Sequence, residues 1–255
     1  MVTDKEAVEQ VEHQSATAPG ADQSGWLHVN SGPASGPLAT ADGPREWFFQ
    51  GADEHFRSIY TRAATGFDSE VLAICSSISG EGKTTLSVGL AVTIAQDFPE
   101  RRVLLVETDF ERPVLADDFG VAATPGLVDC VVAGGAVQDA YRTTFLDNLH
   151  LMPVGRPTPN AGRVLRSVRI AAVMDALRRA YDLIILDVPP ILVNSDAVLL
   201  TDLADSIICV IRAGVTPMDV INQGLSQLDP EKLRGVVLNG SESAMPGWLR
   251  RVWGA

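Results

Sequence analysis

The sequence predicts an α/β fold, with a mostly parallel central sheet flanked by helices on both faces. Three observations carry that reading. Short β-branched runs alternate along the chain with segments of helical period, the pattern of successive β-α-β units. The runs are almost continuously apolar rather than alternating, so both faces of the sheet are to be covered. One run, Val71-Leu72-Ala73-Ile74-Cys75, feeds the loop Ser77-Ile78-Ser79-Gly80-Glu81-Gly82-Lys83-Thr84-Thr85, which opens a helical pattern. Strand, glycine-containing loop and helix start in that order form a phosphate-binding P-loop, in which backbone N–H groups surround the anion.

Taken in chain order, residues 1–44 are rich in Ala, Gly, Ser, Pro, Asp and Glu, with only isolated apolar residues. Such a stretch buries too little surface to offset the entropy of ordering, and it is expected to be a disordered tail. Trp26-Leu27-His28-Val29 within it reads either as a docking motif or, preferably, as an incidental cluster. A helix is expected over 46–65, where Trp47, Phe48, Phe56, Ile59 and Tyr60 suit burial against the domain or a neighbouring subunit. Strands are expected over 71–76, 103–108, 149–153, 183–187, 206–212 and 235–238. Val164, Leu165, Val168, Ala172, Val173, Ala176 and Leu177 recur at helical spacing and mark a scaffold helix. The ordered domain is placed at 45–242, with a short Trp/Arg tail at 243–255.

A chain of 255 residues, 46% hydrophobic and 20% charged, suits one large α/β domain. Its net charge of -12 and pI near 4.7 argue against nucleic-acid binding, which needs a broad basic footprint. Cys75, Cys130 and Cys209 are far apart and lack metal-ligand spacing, so they read as reduced core thiols. No apolar run approaches the roughly 20 residues of a membrane span, and the first residues lack signal-peptide character. The expected location is cytoplasmic.

The strict P-loop pattern has Gly where Ser77 stands, but lysine is scarce here, and one of Lys5, Lys83 and Lys232 falls on the motif position. That favours a P-loop over a plain Gly-rich turn. Ser79, Gly80, Glu81, Gly82, Lys83, Thr84 and Thr85 are the candidate cradle; Lys83 is to meet the β- and γ-phosphates of ATP, and the Thr84 hydroxyl is to ligate Mg²⁺. Two further segments place acids just past strand ends, where open parallel sheets bind ligands. In Val103-Leu104-Leu105-Val106-Glu107-Thr108-Asp109 the two acids stand at i and i+2, so on an extended segment Glu107 and Asp109 would both face the γ-phosphate and its metal. In Leu183-Ile184-Ile185-Leu186-Asp187, the terminal acid can hold a metal-bound water. Either segment alone also fits a solvated carboxylate; together with Lys83 and Thr84 they favour a site.

The segments around Lys83, Asp109 and Asp187 resemble the Walker A, A′ and B elements of the bacterial tyrosine kinases, ATPase/kinase domains that regulate capsular and exopolysaccharide synthesis. The similarity extends through Gly126-Leu127-Val128-Asp129, Asn148-Leu149, Pro153-Val154-Gly155, Pro159-Asn160, Pro189-Pro190-Ile191-Leu192 and Val237-Leu238-Asn239-Gly240, covering about 46–240. The resemblance implies that Thr84, Asp109 and Asp187 support Mg²⁺ and that Glu107 or Asp109 acts as base toward an attacking hydroxyl. Asn239 is then an adenine contact, or equally an ordinary Asn-Gly turn. The implied partners are a transmembrane polysaccharide co-polymerase as activator and further copies of the chain.

Several departures from the family pattern matter. Glu107 replaces an Asp, and Ser79 stands where Pro is common. The family's C-terminal tyrosine cluster has no counterpart, since the tyrosines are Tyr60, Tyr141 and Tyr181. Its oligomerisation motif E-x-x-R-x-x-R is met by Glu54 and Arg57 but has Tyr60 in the last place. Trp248, Arg250, Arg251 and Trp253 read as a peripheral membrane anchor or, preferably, as residues packed on the domain. Two other functions stand beside the kinase reading: a ParA/MinD-type positioning ATPase, disfavoured by the missing signature lysine and the acidity, and a non-catalytic ATP-dependent adaptor.

Overall fold

The computed structural model describes residues 26–29, 39–40, 43–44, 53–63, 70–158 and 161–240. Its strands are β1 (Trp26–Val29), β2 (Ala39–Thr40), β3 (Gly43–Pro44), β4 (Glu70–Ser76), β5 (Val103–Glu107), β6 (Arg142–Thr143), β7 (Leu149–Met152), β8 (Leu183–Asp187), β9 (Ser206–Arg212) and β10 (Leu233–Asn239). Eight of them form one sheet in the order β1-β10-β9-β4-β8-β5-β7-β6, parallel except at β6; β2 and β3 pair separately. The helices are α1 (Asp53–Ala63), α2 (Lys83–Asp97), α3 (Leu115–Asp118), α4 (Leu127–Ala133), α5 (Ala161–Leu165), α6 (Val168–Ala180), α7 (Asp196–Asp202) and α8 (Met218–Leu225).

All six expected strands are present, with ends moved by two residues or fewer. Alternate residues of each strand serve opposite cores, as a period of two requires. Val71, Ala73 and Cys75 of β4 join Ile184 and Leu186 of β8 beneath Leu177 of α6. Leu72 and Ile74 join Ile185 beneath Val88, Leu90 and Ile94 of α2. Each fully buried side chain of this kind stabilises the fold by about 1.5–3 kcal/mol, which is why the runs read as continuously apolar. All three cysteines are buried free thiols, and Cys75 and Cys209 are register partners on adjacent strands.

Two expectations change. Trp26–Val29 is paired in parallel along β10, Trp26 opposite Val236 and Val29 opposite Asn239, so these four residues belong to the sheet rather than to a tail without order. An edge strand draws its order from the ladder it joins, not from a pattern of its own. The apolar stripe 164–177 is two helices, because Ser167 accepts the Arg169 N–H as an N-cap and starts α6 afresh. The helix expected over 46–65 is described over Asp53–Ala63; Trp47, Phe48 and the tail with Trp248 and Trp253 lie outside the described residues.

Helix α1 rests on α2 where Gly89 leaves room. A Cβ there would come within 2.2 Å of the Phe56 ring. Beyond this contact Arg57 donates to Asp97 through Nε at 2.8 Å and Nη2 at 2.9 Å, and the Tyr60 hydroxyl donates to Asp97 at 2.7 Å. Arg57 of the oligomerisation motif, and Tyr60 in its last place, are thus engaged with the chain's own α2.

Candidate functional site

Strand order explains how distant segments meet. Strand β8 is inserted between β4 and β5, so Asp187 lies opposite Ile74 on one side and Glu107 on the other. The carboxyl ends of three strands therefore present Lys83, Asp187 and Asp109 at one place, on the edge where parallel sheets bind ligands.

The loop between β4 and α2 takes its shape from two glycines with left-handed φ, Gly80 at 83° and Gly82 at 99°. Gly82 is also steric: a Cβ on it would lie 2.0 Å from Asn239 Nδ2, which donates to the Glu81 carbonyl at 2.9 Å. Ser77, in place of the pattern's Gly, is accommodated because α8 presents Gly224 to it; a Cβ at 224 would sit 2.2 Å from Ser77 Oγ. Among the described residues no side chain caps the start of α2, and its first turn holds no acid. The first N–H groups and the positive end of the helix dipole are thereby left to an anion, so the loop fits a phosphate.

The cation and carboxylates meet directly in front of it. Lys83 Nζ lies 3.2 Å from Thr84 Oγ1, 3.7 Å from Asp187 Oδ2 and 3.9 Å from Asp109 Oδ2. The Thr84 hydroxyl donates to Asp187 Oδ2 at 2.8 Å. Ser87 Oγ stands 3.1 Å from Asp187 Oδ1 and 2.9 Å from the Lys83 carbonyl. Thr108 donates its hydroxyl to the Asp187 carbonyl at 2.7 Å and holds that backbone. Burial pushes the Asp187 carboxyl above the usual range, opposed by Lys83, Thr84 and Ser87. A hydroxyl beside carboxylate oxygens is donor chemistry for a hard cation. No group of three or more His, Cys, Asp and Glu among the described residues could hold a metal alone, so a bound Mg²⁺ would draw remaining ligands from phosphate and water.

One candidate residue is placed otherwise than expected. Glu107 does not turn to Lys83 with Asp109. Its Oε1 accepts the N–H groups of Val114 and Leu115, its Oε2 is buried without a partner, and burial raises its carboxyl. The i, i+2 rule lapses because β5 ends at Glu107, after which Asp109 Oδ1 accepts from Glu111 N at 3.3 Å and Arg112 N at 3.0 Å in a turn. Glu81 likewise points its carboxylate into the protein, at 1% exposure. Asn239 ends β10 beside a crevice lined by Phe56, Leu86, Val210 and Val237, and Gly240 with φ 70° turns the chain after it.

A family model described as an AAA domain matches residues 69–232. Tyrosine-protein kinase CpsD of Streptococcus agalactiae serotype III is 29% identical over 191 residues, 73% of this chain and 82% of the relative. Tyrosine-protein kinase YwqD of Bacillus subtilis is 29% identical over 194 residues, 74% and 81% of the two chains. Among solved structures, the BceF tyrosine kinase domain superposes with a TM-score of 0.66 at 30% identity, over 74% of this chain and 77% of that one. The chain belongs to the AAA-domain family, in its bacterial tyrosine-kinase branch. A Pyrococcus furiosus cell-division ATPase MinD also superposes, with a TM-score of 0.55 at 23% identity over 72% and 79% of the chains, which shows a shared fold alone.

For this tyrosine-kinase-type chain, sequence reasoning missed Ser87, Thr108 and Gly224. Only Ser87 left a signal, lying one helical turn beyond Lys83 and Thr84.

Proposed function

We propose that this chain binds Mg²⁺·ATP at the loop 77–85 and acts as an ATPase or tyrosine-kinase-like phosphotransferase that regulates capsule or exopolysaccharide assembly. A transmembrane co-polymerase at the inner face of the membrane is its activator. The observation that supports this most is the convergence of Lys83, Thr84, Asp109 and Asp187 on an uncapped helix start. Lys83 neutralises β- and γ-phosphate charge, Thr84 and Asp187 hold the metal and its water, and Asp109 is the carboxylate placed to orient an attacking hydroxyl. Bound Mg²⁺ supplies further neutralisation of charge on the phosphates. Asn239, at the end of β10, is the residue that meets the base. No helix among the described residues is long and apolar enough to cross a membrane.

The acceptor is water or a hydroxyl of another molecule. Tyr60 donates to Asp97, and burial, then Asp97, pushes its phenol up to about 12. Tyr141 and Tyr181 pack together at a ring distance of 5.6 Å. Tyr181 precedes β8, at the opposite end of the parallel strands from the loop. Incubation with Mg²⁺·ATP, with and without the partner's cytoplasmic segment, should release ADP without phosphotyrosine at Tyr60. Abundant phosphotyrosine there would overturn the acceptor assignment, and nucleotide binding with no turnover in either condition would leave an adaptor.

A further inference from the structure

The helix α8 is built onto the phosphate loop at two points. Glu81 Oε2 accepts the Ile78 N–H at 2.8 Å, closing the loop on itself. Its Oε1 accepts the Thr216 hydroxyl at 2.6 Å and the Arg212 N–H at 3.3 Å. Arg212 ends β9, and Thr216 precedes Pro217, the N-cap of α8. Near the other end of α8, Gly224 packs on Ser77. The turn before this helix presents Val215 and the helix itself begins at Met218, 61% and 62% exposed.

We propose that Glu81 transmits phosphate occupancy of the loop to α8, so that the surface bearing Val215 and Met218 shifts when nucleotide binds. The proposal rests on the nucleotide-binding reading above. When loop N–H groups turn toward phosphate oxygens, Ile78 and Glu81 move with them. A buried carboxylate cannot exchange lost donors for water, so Thr216 and Arg212 follow it, and α8 follows Thr216. Glu81 is on this account a positioning residue. A purely structural carboxylate would change stability and leave the response of α8 intact.

The native thiols are all buried, so Met218→Cys accepts one environment-sensitive fluorophore at α8. In that chain, Mg²⁺·ATP is expected to shift the emission with the midpoint calorimetry gives for binding. Thr216→Val keeps the shape and removes the hydroxyl; it should hold nucleotide affinity within about threefold while cutting the emission change about fivefold or more, and Thr216→Ser should restore it. Hydrogen exchange of residues 218–225 in the unsubstituted chain gives a second reading, with slower exchange expected on adding Mg²⁺·ATP. A normal emission change in Thr216→Val, or nucleotide binding that alters neither emission nor exchange, overturns the coupling. Absence of binding by calorimetry in the unsubstituted chain overturns instead the nucleotide-binding reading on which it rests.

Discussion

A methyl group at position 224 tests how α8 seats against the loop. In Gly224→Ala the new Cβ would lie 2.2 Å from Ser77 Oγ, 2.9 Å from its Cβ and 3.3 Å from its Cα. The obstacle is a short, fully buried side chain attached to loop backbone, which cannot swing aside as a lysine tip would. Overpacking of this kind costs about 1–3 kcal/mol. Alanine is favoured over glycine in a helix by about 0.8–1.0 kcal/mol, so the single substitution should destabilise by roughly 0–2 kcal/mol. Ser77→Gly restores the strict loop pattern and removes the obstacle. In that background Gly224→Ala should retain only the helical gain, and the two sites should couple by about 1–3 kcal/mol. Whatever Ser77→Gly does alone, including loss of a buried hydroxyl without a partner, cancels in the cycle. Urea unfolding of the four proteins, at a common m-value, measures the coupling. Additivity within about 0.5 kcal/mol would refute the packing argument.

Lys83→Ala should abolish nucleotide binding and leave the fold, because it removes the phosphate-facing cation without touching core apolar surface; unchanged Mg²⁺·ATP affinity by calorimetry would contradict the site. Asp187→Asn should spare part of the nucleotide binding and lose its Mg²⁺ dependence, and equal losses with and without Mg²⁺ would argue against a metal role. Arg57→Ala should loosen α1 by about 1 kcal/mol, since the forked pair with Asp97 is only partly shielded; unaltered hydrogen exchange over 53–63 would show the pair to be idle. His150, held below its ordinary pKa first by burial and then by Arg102, favours the neutral ring in the folded state. Its contribution is complete above the unfolded value near 6.5 and is lost as pH falls toward the depressed folded value. Against the parent, His150→Phe should therefore show a smaller fall in urea midpoint between pH 7.5 and 5.5, and identical pH slopes would exclude the effect.

The strands were legible because burial on both faces leaves runs with no polar interruption, and Lys83, Thr84 and Asp187 because each sits in a contiguous pattern with one chemical purpose. Glu107 was misread because sequence does not show where extended backbone stops. Thr108 turns from the strand, and the side chains flanking it part. Ser87 offered only its place one helical turn beyond Lys83 and Thr84; Thr216 and Gly224 carry no local signature, since their partners are Glu81 and Ser77 in distant segments and each is a small, common residue. The same distance hides β1, whose hydrogen-bonding partner lies at the other end of the chain.

Strand β1 also decides where this protein can be cut. Composition places the domain boundary near residue 45, and a fragment starting there would lack Trp26–Val29. The outer N–H and C=O groups of residues 236–239, which that strand covers, would then stand open toward the end of the sheet that carries the candidate site. An uncovered strand edge is a template for pairing with another chain. The short fragment is thus expected to self-associate through β10 more readily than one that keeps residues 26–29, so stickiness of a trimmed protein would report a missing edge and not a native oligomer.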